Sequence, residues 1–595
     1  MRWLQNTSKA FARPFGMLRR HRLMVVAGLA CLPIHAAVLL WMPSLMGGMI
    51  DSLDQGTATS ALLRNTCLLL LGLALAESGS RYISRRLLID ASRLVERELK
   101  EAVLTHLQRL PTSWFDRART GDLVSRLTQD VELIRFVMGP LLLHGGSTLC
   151  LLPAGIYLMA QMDVPVTLSF LGLFGVMFVF LRIIVPHLYK WSKASQEAIG
   201  ALSQRAQEDF AGIRVLQQFA AQDRELGAMA TRNRRYLASN LRLVRLRALI
   251  NAATHSTTGA VTLAVLLVGG HQIIDGTLTV GELFQFLIYL GLLMMPIEIL
   301  GWTLATMPRA LAAGTRVEEL FEVEAEDPSG TQPDLRGHLV VRDLTFTYPG
   351  AEAPALQQVS FELQPGQKLG LVGPVGSGKS TILALCLRLY EPPRGSIFLD
   401  GHDILDIAPE HVRSLFATAP QEPFLFTDTL AANVEFGRDT TTSTEPATDG
   451  VLPEIEDALT AAALDQDLSM LPSGIETIVG ERGVILSGGQ RQRASLARAL
   501  FSERPALVLD DTLSAVDPHT EQRILEGLRK TRAGRTMIVA THRLSVIRDA
   551  DLILVLEDGQ VRERGTHPTL RSSKGLYAAA WRRQSEAQAL SGEDQ

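Results

Sequence analysis

Cysteine is almost missing from this chain, with 4 in 595 residues. That excludes a disulfide framework. Cys31, Cys67, Cys150 and Cys386 do not stand at zinc-ligand spacing, so they read as buried thiols. An excess of charge of either sign is missing too. The 58 basic and 62 acidic side chains leave a net charge of −4, which excludes a strongly basic nucleic-acid binder and an acidic disordered tail protein. No internal repeat, tag or lipidation motif is evident.

Apolar chain is what the sequence has in quantity: 47% hydrophobic residues and a mean hydropathy of +0.15. Its runs crowd the first half. They are Leu23–Ile50, a run around Cys67–Ala76, Pro140–Ala160, Val164–Val185, Leu249–Gly270 and Leu283–Met307. A hydrocarbon core about 30 Å thick takes roughly 20 apolar residues of helix. Five runs reach that length; the second is interrupted by Arg64, Glu77 and Arg81, and counting it gives six spans. The first run is too long for the apolar part of a signal peptide and reads as a retained anchor.

Basic residues set the orientation. They crowd the segment before the first span and the long connections after the second and fourth, whereas Asp51–Ser60, Gln161–Asp163 and His271–Val280 are short and poor in Lys and Arg. Both termini and the long connections are therefore expected in the cytoplasm. Apolar residues recur at helical spacing in Leu87–Leu110. The expected picture is membrane helices that extend into the cytoplasm and turn at short connecting helices. One turn falls near Trp114, Phe115 and Asp116 to Gly121 and Asp122. The other falls near Phe210–Val215, broken at Gly212.

The acidic, Pro- and Gly-containing stretch Glu322–Gly337 reads as a linker. The expected domains are a membrane domain over 1–321, the linker 322–337, a second domain over 338–583 and a polar tail over 584–595. In the second domain, short β-branched runs alternate with helical patterns: Leu339–Thr347, Lys368–Val372, Ser396–Leu399, Ala506–Leu509, Thr536–Ala540 and Asp551–Leu556. This predicts an α/β fold with a largely parallel sheet. Arg438–Pro453 is polar and of low complexity, and is expected as a surface loop.

Gly373, Pro374, Val375, Gly376, Ser377, Gly378, Lys379 and Ser380 spell a phosphate loop between a predicted strand and a predicted helix. Its N–H groups and the helix N-terminus suit a β-phosphate. Lys379 supplies charge to the β- and γ-phosphates, the Ser380 hydroxyl suits Mg²⁺, and Thr381 suits phosphate. About 130 residues later the apolar strand 507–509 ends in Asp510 and Asp511. Asp510 is the candidate Mg²⁺ carboxylate, and Asp511 stands where a base acting on water would. Leu486, Ser487, Gly488, Gly489 and Gln490 open a further predicted helix, a second anion-suited N-terminus. One ATP needs a single phosphate loop, so a second such site suggests two copies facing each other.

Leu486–Gln490 resembles the signature of ATP-binding cassette proteins, in matching chain order. The resemblance implies several roles. Tyr348 would stack on adenine. Gln421 would contact Mg²⁺ and the attacking water. Glu481 and Arg482 would belong to the exporter X-loop, Ser514–Asp517 to the D-loop, and His542 would be the switch histidine at the γ-phosphate. The first half resembles the six-helix membrane domain of exporters, with Trp114–Asp122 as the first coupling region. A membrane domain fused to one cassette implies a half-transporter, working as a dimer with ATP and Mg²⁺ held between phosphate loop and opposing signature.

Most of the family carries Glu where this chain has Asp511. Asp is shorter by roughly 1.5 Å, and a general base must approach its water within about 2.6–3.2 Å. Asp511 is thus expected to hydrolyse poorly. The 509–517 and 421–428 stretches resemble MdlA-type subunits of heterodimeric bacterial exporters. The function implied is ATP-driven export of hydrophobic or amphipathic small molecules (drugs, lipids or peptides) across the cell inner (plasma) membrane, with a second half-transporter as partner and no nucleic acid. A homodimeric exporter or lipid flippase, an exporter-fold importer of an iron carrier and a regulatory ATP-binding subunit are the alternatives. Polar residues in or near the spans are His35, Glu77, His144, Arg182, Asn251, His255, Glu298 and Trp302. Of these, Glu298 and Trp302, four apart on one helix face, are the first candidates for a substrate path.

Overall fold

Helix-breaking turns cut the apolar first half into long hairpins. The computed structural model describes residues 2–438, 452–480, 483–484, 486–514, 516–531 and 534–592. The chain divides into two compact units, one of Met1–Thr105 with Gly121–Glu322, the other of His106–Thr120 with Val323–Gln595.

The first unit is all helical. It contains α1 (Arg2–Arg20), α2 (Arg22–Asp54) and α3 (Ser60–Leu107). Leaving α4 (Thr112–Phe115) to the second unit, it continues with α5 (Thr120–Met162), α6 (Val164–Ala211), α7 (Ile213–Gln218), α8 (Gln222–Ile274) and α9 (Val280–Glu322). Among the described residues, α2, α3, α5, α6 and α8 are long and apolar enough to cross a membrane, and α9 carries the apolar stretch Val280–Met294. The interrupted second span is therefore a continuous helix.

The turns have local causes. Asp163 caps α6 by accepting the Val166 N–H at 2.7 Å, with a proline in the helix's first turn. Gly212, with φ −92° and ψ 15°, separates α6 from α7, as its position in the sequence predicts. Asp51 caps α9 from another helix, its two oxygens accepting the Gly281 N–H at 2.7 Å and the Thr279 hydroxyl at 2.8 Å. A Cβ on Gly281 would fall within 2.1 Å of the Gly47 carbonyl, so glycine here permits the close approach of α2 and α9. The bundle core gathers Phe286, Tyr289, Leu293, Met159, Phe170 and Val265, all essentially buried. The Tyr289 hydroxyl donates to the Leu40 carbonyl at 2.9 Å.

The second unit is α/β. One sheet of four strands runs in the order β2 (Leu356–Leu363), β1 (Leu339–Phe346), β4 (Ile397–Leu399), β5 (His402–Asp403). The main sheet runs in the order β10 (Gln560–Gly565), β9 (Leu552–Glu557), β3 (Lys368–Val372), β8 (Thr536–Ala540), β7 (Ala506–Asp510), β6 (Phe416–Ala419). All its pairings are parallel except β9 with β10. Strands β3 and β8 are buried at every residue, which is why they read as unbroken apolar runs.

Three features depart from the expectations. His106–Thr120 groups with the cassette rather than with the remaining membrane helices. Residues 439–451 of the expected loop lie outside the described residues, and Leu452 and Pro453 already open a helix, Leu452–Ala461. The stretch expected as a polar tail is helical through Gly592, as part of α13 (Leu576–Gly592; α10 Lys379–Cys386, α11 Gly488–Phe501 and α12 Pro518–Thr531 precede it).

Candidate active site

Because β6, β7, β8 and β3 are parallel, their C-terminal tips lie along one edge, where ligands of open α/β sheets bind. The tips lead in turn to Gln421, to Asp510 and Asp511, to His542, and to the phosphate loop. Residues remote in sequence meet at adjacent tips: Ala540 pairs with Leu371 on one side and with Asp510 on the other.

The loop between β3 and α10 is built on left-handed glycines, Gly376 at φ 81° and Gly378 at φ 99°. A Cβ on Gly378 would meet Leu356 at 2.5 Å and the Ala355 carbonyl at 3.0 Å. Ser377 and Lys379 are buried, while Val375 is exposed at the tip. The Lys379 ammonium donates to the carbonyls of Gly373 at 2.8 Å and Pro374 at 2.9 Å. Burial draws it below the ordinary lysine pKa, with Asp511 and Asp510 pulling the other way.

Asp510 ends β7. Burial lifts its carboxyl above the usual range, against a hydrogen bond from Ser380, while neighbouring Asp511 lifts it further. The serine hydroxyl and this carboxylate are hard oxygen donors side by side, a set that suits Mg²⁺. Asp511 is buried, sits at φ 47°, and donates its N–H to the Ala540 carbonyl at 2.8 Å. Its Oδ2 lies 3.9 Å from His542 Nε2, and its Oδ1 is buried without a hydrogen-bond partner. A buried orphan acceptor is costly, and a polarised water would satisfy it. Gln421 is exposed two residues beyond β6.

Tyr348 reaches the first turn of the helix that follows the loop, its hydroxyl donating to Thr381 Oγ1 at 3.1 Å. Its ring stands edge-on to Tyr390 at 5.0 Å. The Tyr390 hydroxyl in turn bonds Asp116, just past α4, and burial followed by that bond raises the phenol above its ordinary pKa. Arg117 donates to the Pro349 carbonyl at 2.5 Å. So the short helix expected to touch another domain is linked to the phosphate loop through two tyrosines. Of these, sequence reasoning missed Tyr390; no motif marks it.

Leu486–Gln490 joins none of these contacts. Ser487 and Gln490 form a capping box at the start of α11, with Ser487 and Gly488 exposed, and Gln490 Nε2 donates to Asp467 at 2.7 Å. Gln492 on the same helix donates to Ser514, whose carbonyl accepts from Arg543 beside His542. Asp517 caps α12 by accepting the N–H groups of Thr520 and His519, and the bonds from Thr520 above all bring its carboxyl down to about 2. Glu481 and Arg482 lie outside the described residues, and so do the side chains of Glu298 and Trp302. His35, Glu77 and His144 line one cavity, whereas Arg182, Asn251 and His255 are exposed on their helices and do not line it.

A bundle of apolar helices followed by a phosphate loop, paired acids and a histidine along one sheet edge defines an ATPase built into a membrane protein. Comparison narrows the class. Residues 25–297 match the ABC transporter transmembrane region and residues 356–514 match the ABC transporter family. The chain is 34% identical over 98% of both chains to the multidrug resistance-like ATP-binding protein MdlA of Escherichia coli. It is 32% identical over 96% of its length, and 97% of the relative's, to the ATP-dependent lipid A-core flippase of Vibrio vulnificus. A bacterial Atm1-family ABC exporter solved with ATP bound superposes with a TM-score of 0.76 at 27% identity, covering 95% of this chain and 98% of that one. The chain belongs to the ATP-binding cassette transporters, as an exporter-type half-transporter whose ATPase is coupled to transport. It is a multi-pass membrane protein of a family whose exporters act as dimers.

Proposed function

We propose that this chain is the subunit with the weaker hydrolytic site in a heterodimeric exporter, moving hydrophobic or amphipathic small molecules out across the inner (plasma) membrane, with its termini and cassette in the cytoplasm. The observation that carries the reading is Asp511: a short carboxylate on a left-handed residue, with one oxygen buried and unpartnered and the other 3.9 Å from His542.

In this reading Lys379 leaves its loop carbonyls for the β- and γ-phosphates, and the loop's N–H groups cradle them. Ser380 and Asp510, with Gln421, hold Mg²⁺, which when bound neutralises charge developing on the phosphates. His542 contacts the γ-phosphate, and Tyr348 offers its ring to adenine. Asp511 orients the water from too far back, so turnover at this chain's own site is slow. Leu486–Gln490 completes the partner's site, its exposed Ser487 and Gly488 facing that ATP. Exposed aromatics support a second chain. Phe210 and Phe219 flank α7 at 75% and 77% exposure, and Phe424 and Phe436 are 62% and 63% exposed on the cassette. Apolar surface of this kind marks interaction sites.

The test is the steady-state ATPase rate of the chain purified alone in lipid, beside Lys379→Ala, with ATP binding measured on both. ATP binding without turnover supports the heterodimer. Robust, Lys379-dependent turnover would mean that Asp511 suffices and that a homodimer is the working unit.

A further inference from the structure

One observation concerns the loop that carries His542. Helix α13 is anchored by the fully buried Tyr577, whose hydroxyl pairs with His567 Nδ1 at 2.8 Å. Two turns on, Gln584 grips the backbone on both sides of Arg543: its Nε2 donates to the His542 carbonyl at 2.6 Å and its Oε1 accepts the Leu544 N–H at 3.0 Å. Leu544 opens a short 3-10 helix, so that N–H lacks an intrahelical partner. The amide carries both the donor and the acceptor that these two bonds require.

We infer that Gln584 is a positioning residue that sets His542 toward Asp511. In Gln584→Leu, amide exchange over Thr541–Ile547 should quicken about tenfold. In the ATPase of the Asp511→Glu background, kcat should fall about fivefold with KM for ATP within about twofold. Adding His542→Ala should abolish that difference, because the two act as one unit. Gln584→Glu, of the same size, repeats the test should the Leu variant melt early. Unchanged exchange, or an equal loss of kcat with and without His542, would overturn the assignment.

Discussion

At the strand tips of the cassette, Lys379, Asp510, Asp511 and His542 come from short stretches of contiguous motif, and parallel pairing alone brings them to one edge. In the membrane helices, His35, Glu77, Arg85 and His144 line one cavity, and Arg85, His144 and Arg309 line the next, groups scattered over four helices and marked by no motif. The difference follows from the backbone. A sheet delivers every strand tip to the same line, so chemistry can be written locally after each strand. A helix bundle brings together residues that are remote in sequence, one or two per helix, and only packing decides which. Polar bonds differ in the same way. The cassette loops hold networks around the phosphate loop, whereas the bundle joins helices at scattered points, such as Ser84 to the Gly28 carbonyl at 2.9 Å and Asp51 to Gly281 and Thr279.

The sharpest way to probe the first half of this contrast is Lys379→Ala. In the Asp511→Glu background, ATPase activity should fall about a hundredfold or more, because no other cation in the loop replaces the ammonium; retained activity would mean the strand-tip reading is wrong. Next comes Asp511→Glu, which restores the missing methylene. Turnover of the chain alone should rise about tenfold, and an unchanged rate would place the limit elsewhere than in the reach of the base. On the bundle side, Arg316→Leu removes the partner of Asp130, whose side chain is almost fully buried. Leaving that carboxylate unpaired should cost about 1–3 kcal/mol, read as a lower melting temperature in detergent with ATP affinity unaltered. The smallest effect is expected for Tyr390→Phe, which deletes one hydroxyl between Asp116 and the Tyr348–Thr381 pair. Substrate stimulation of the ATPase should weaken about two- to threefold while the unstimulated rate holds. A loss of the unstimulated rate instead would mean that Tyr390 shapes the nucleotide site itself.

Much of the cassette was legible because its signals are short-range. Strands Lys368–Val372 and Thr536–Ala540 match their apolar runs end to end. Strand β2 escaped notice because Gln357 and Gln358 interrupt its alternation, and a left-handed Gln358 marks an irregular register with β1. Four-residue β6 carries too little pattern to stand out. The short helices Thr112–Phe115 and Ile213–Gln218 were foreseen from their breaks. The role of Gln584 was not, because its partners lie about 40 residues away and are backbone atoms.

By itself, then, the sequence determined the two-part architecture, the membrane-spanning character and the ATP-binding chemistry. Each rests on composition over one helix length or on a motif within one turn of chain, and both are properties of neighbours along the backbone. Only tertiary structure decided that Asp116 reaches Tyr390, that Gln584 grips the loop carrying His542, and that Arg85 and Arg309 line one cavity in the bundle. Those pairings depend on the packing of remote helices and strands, where a shift of one residue in register would turn each side chain to another face.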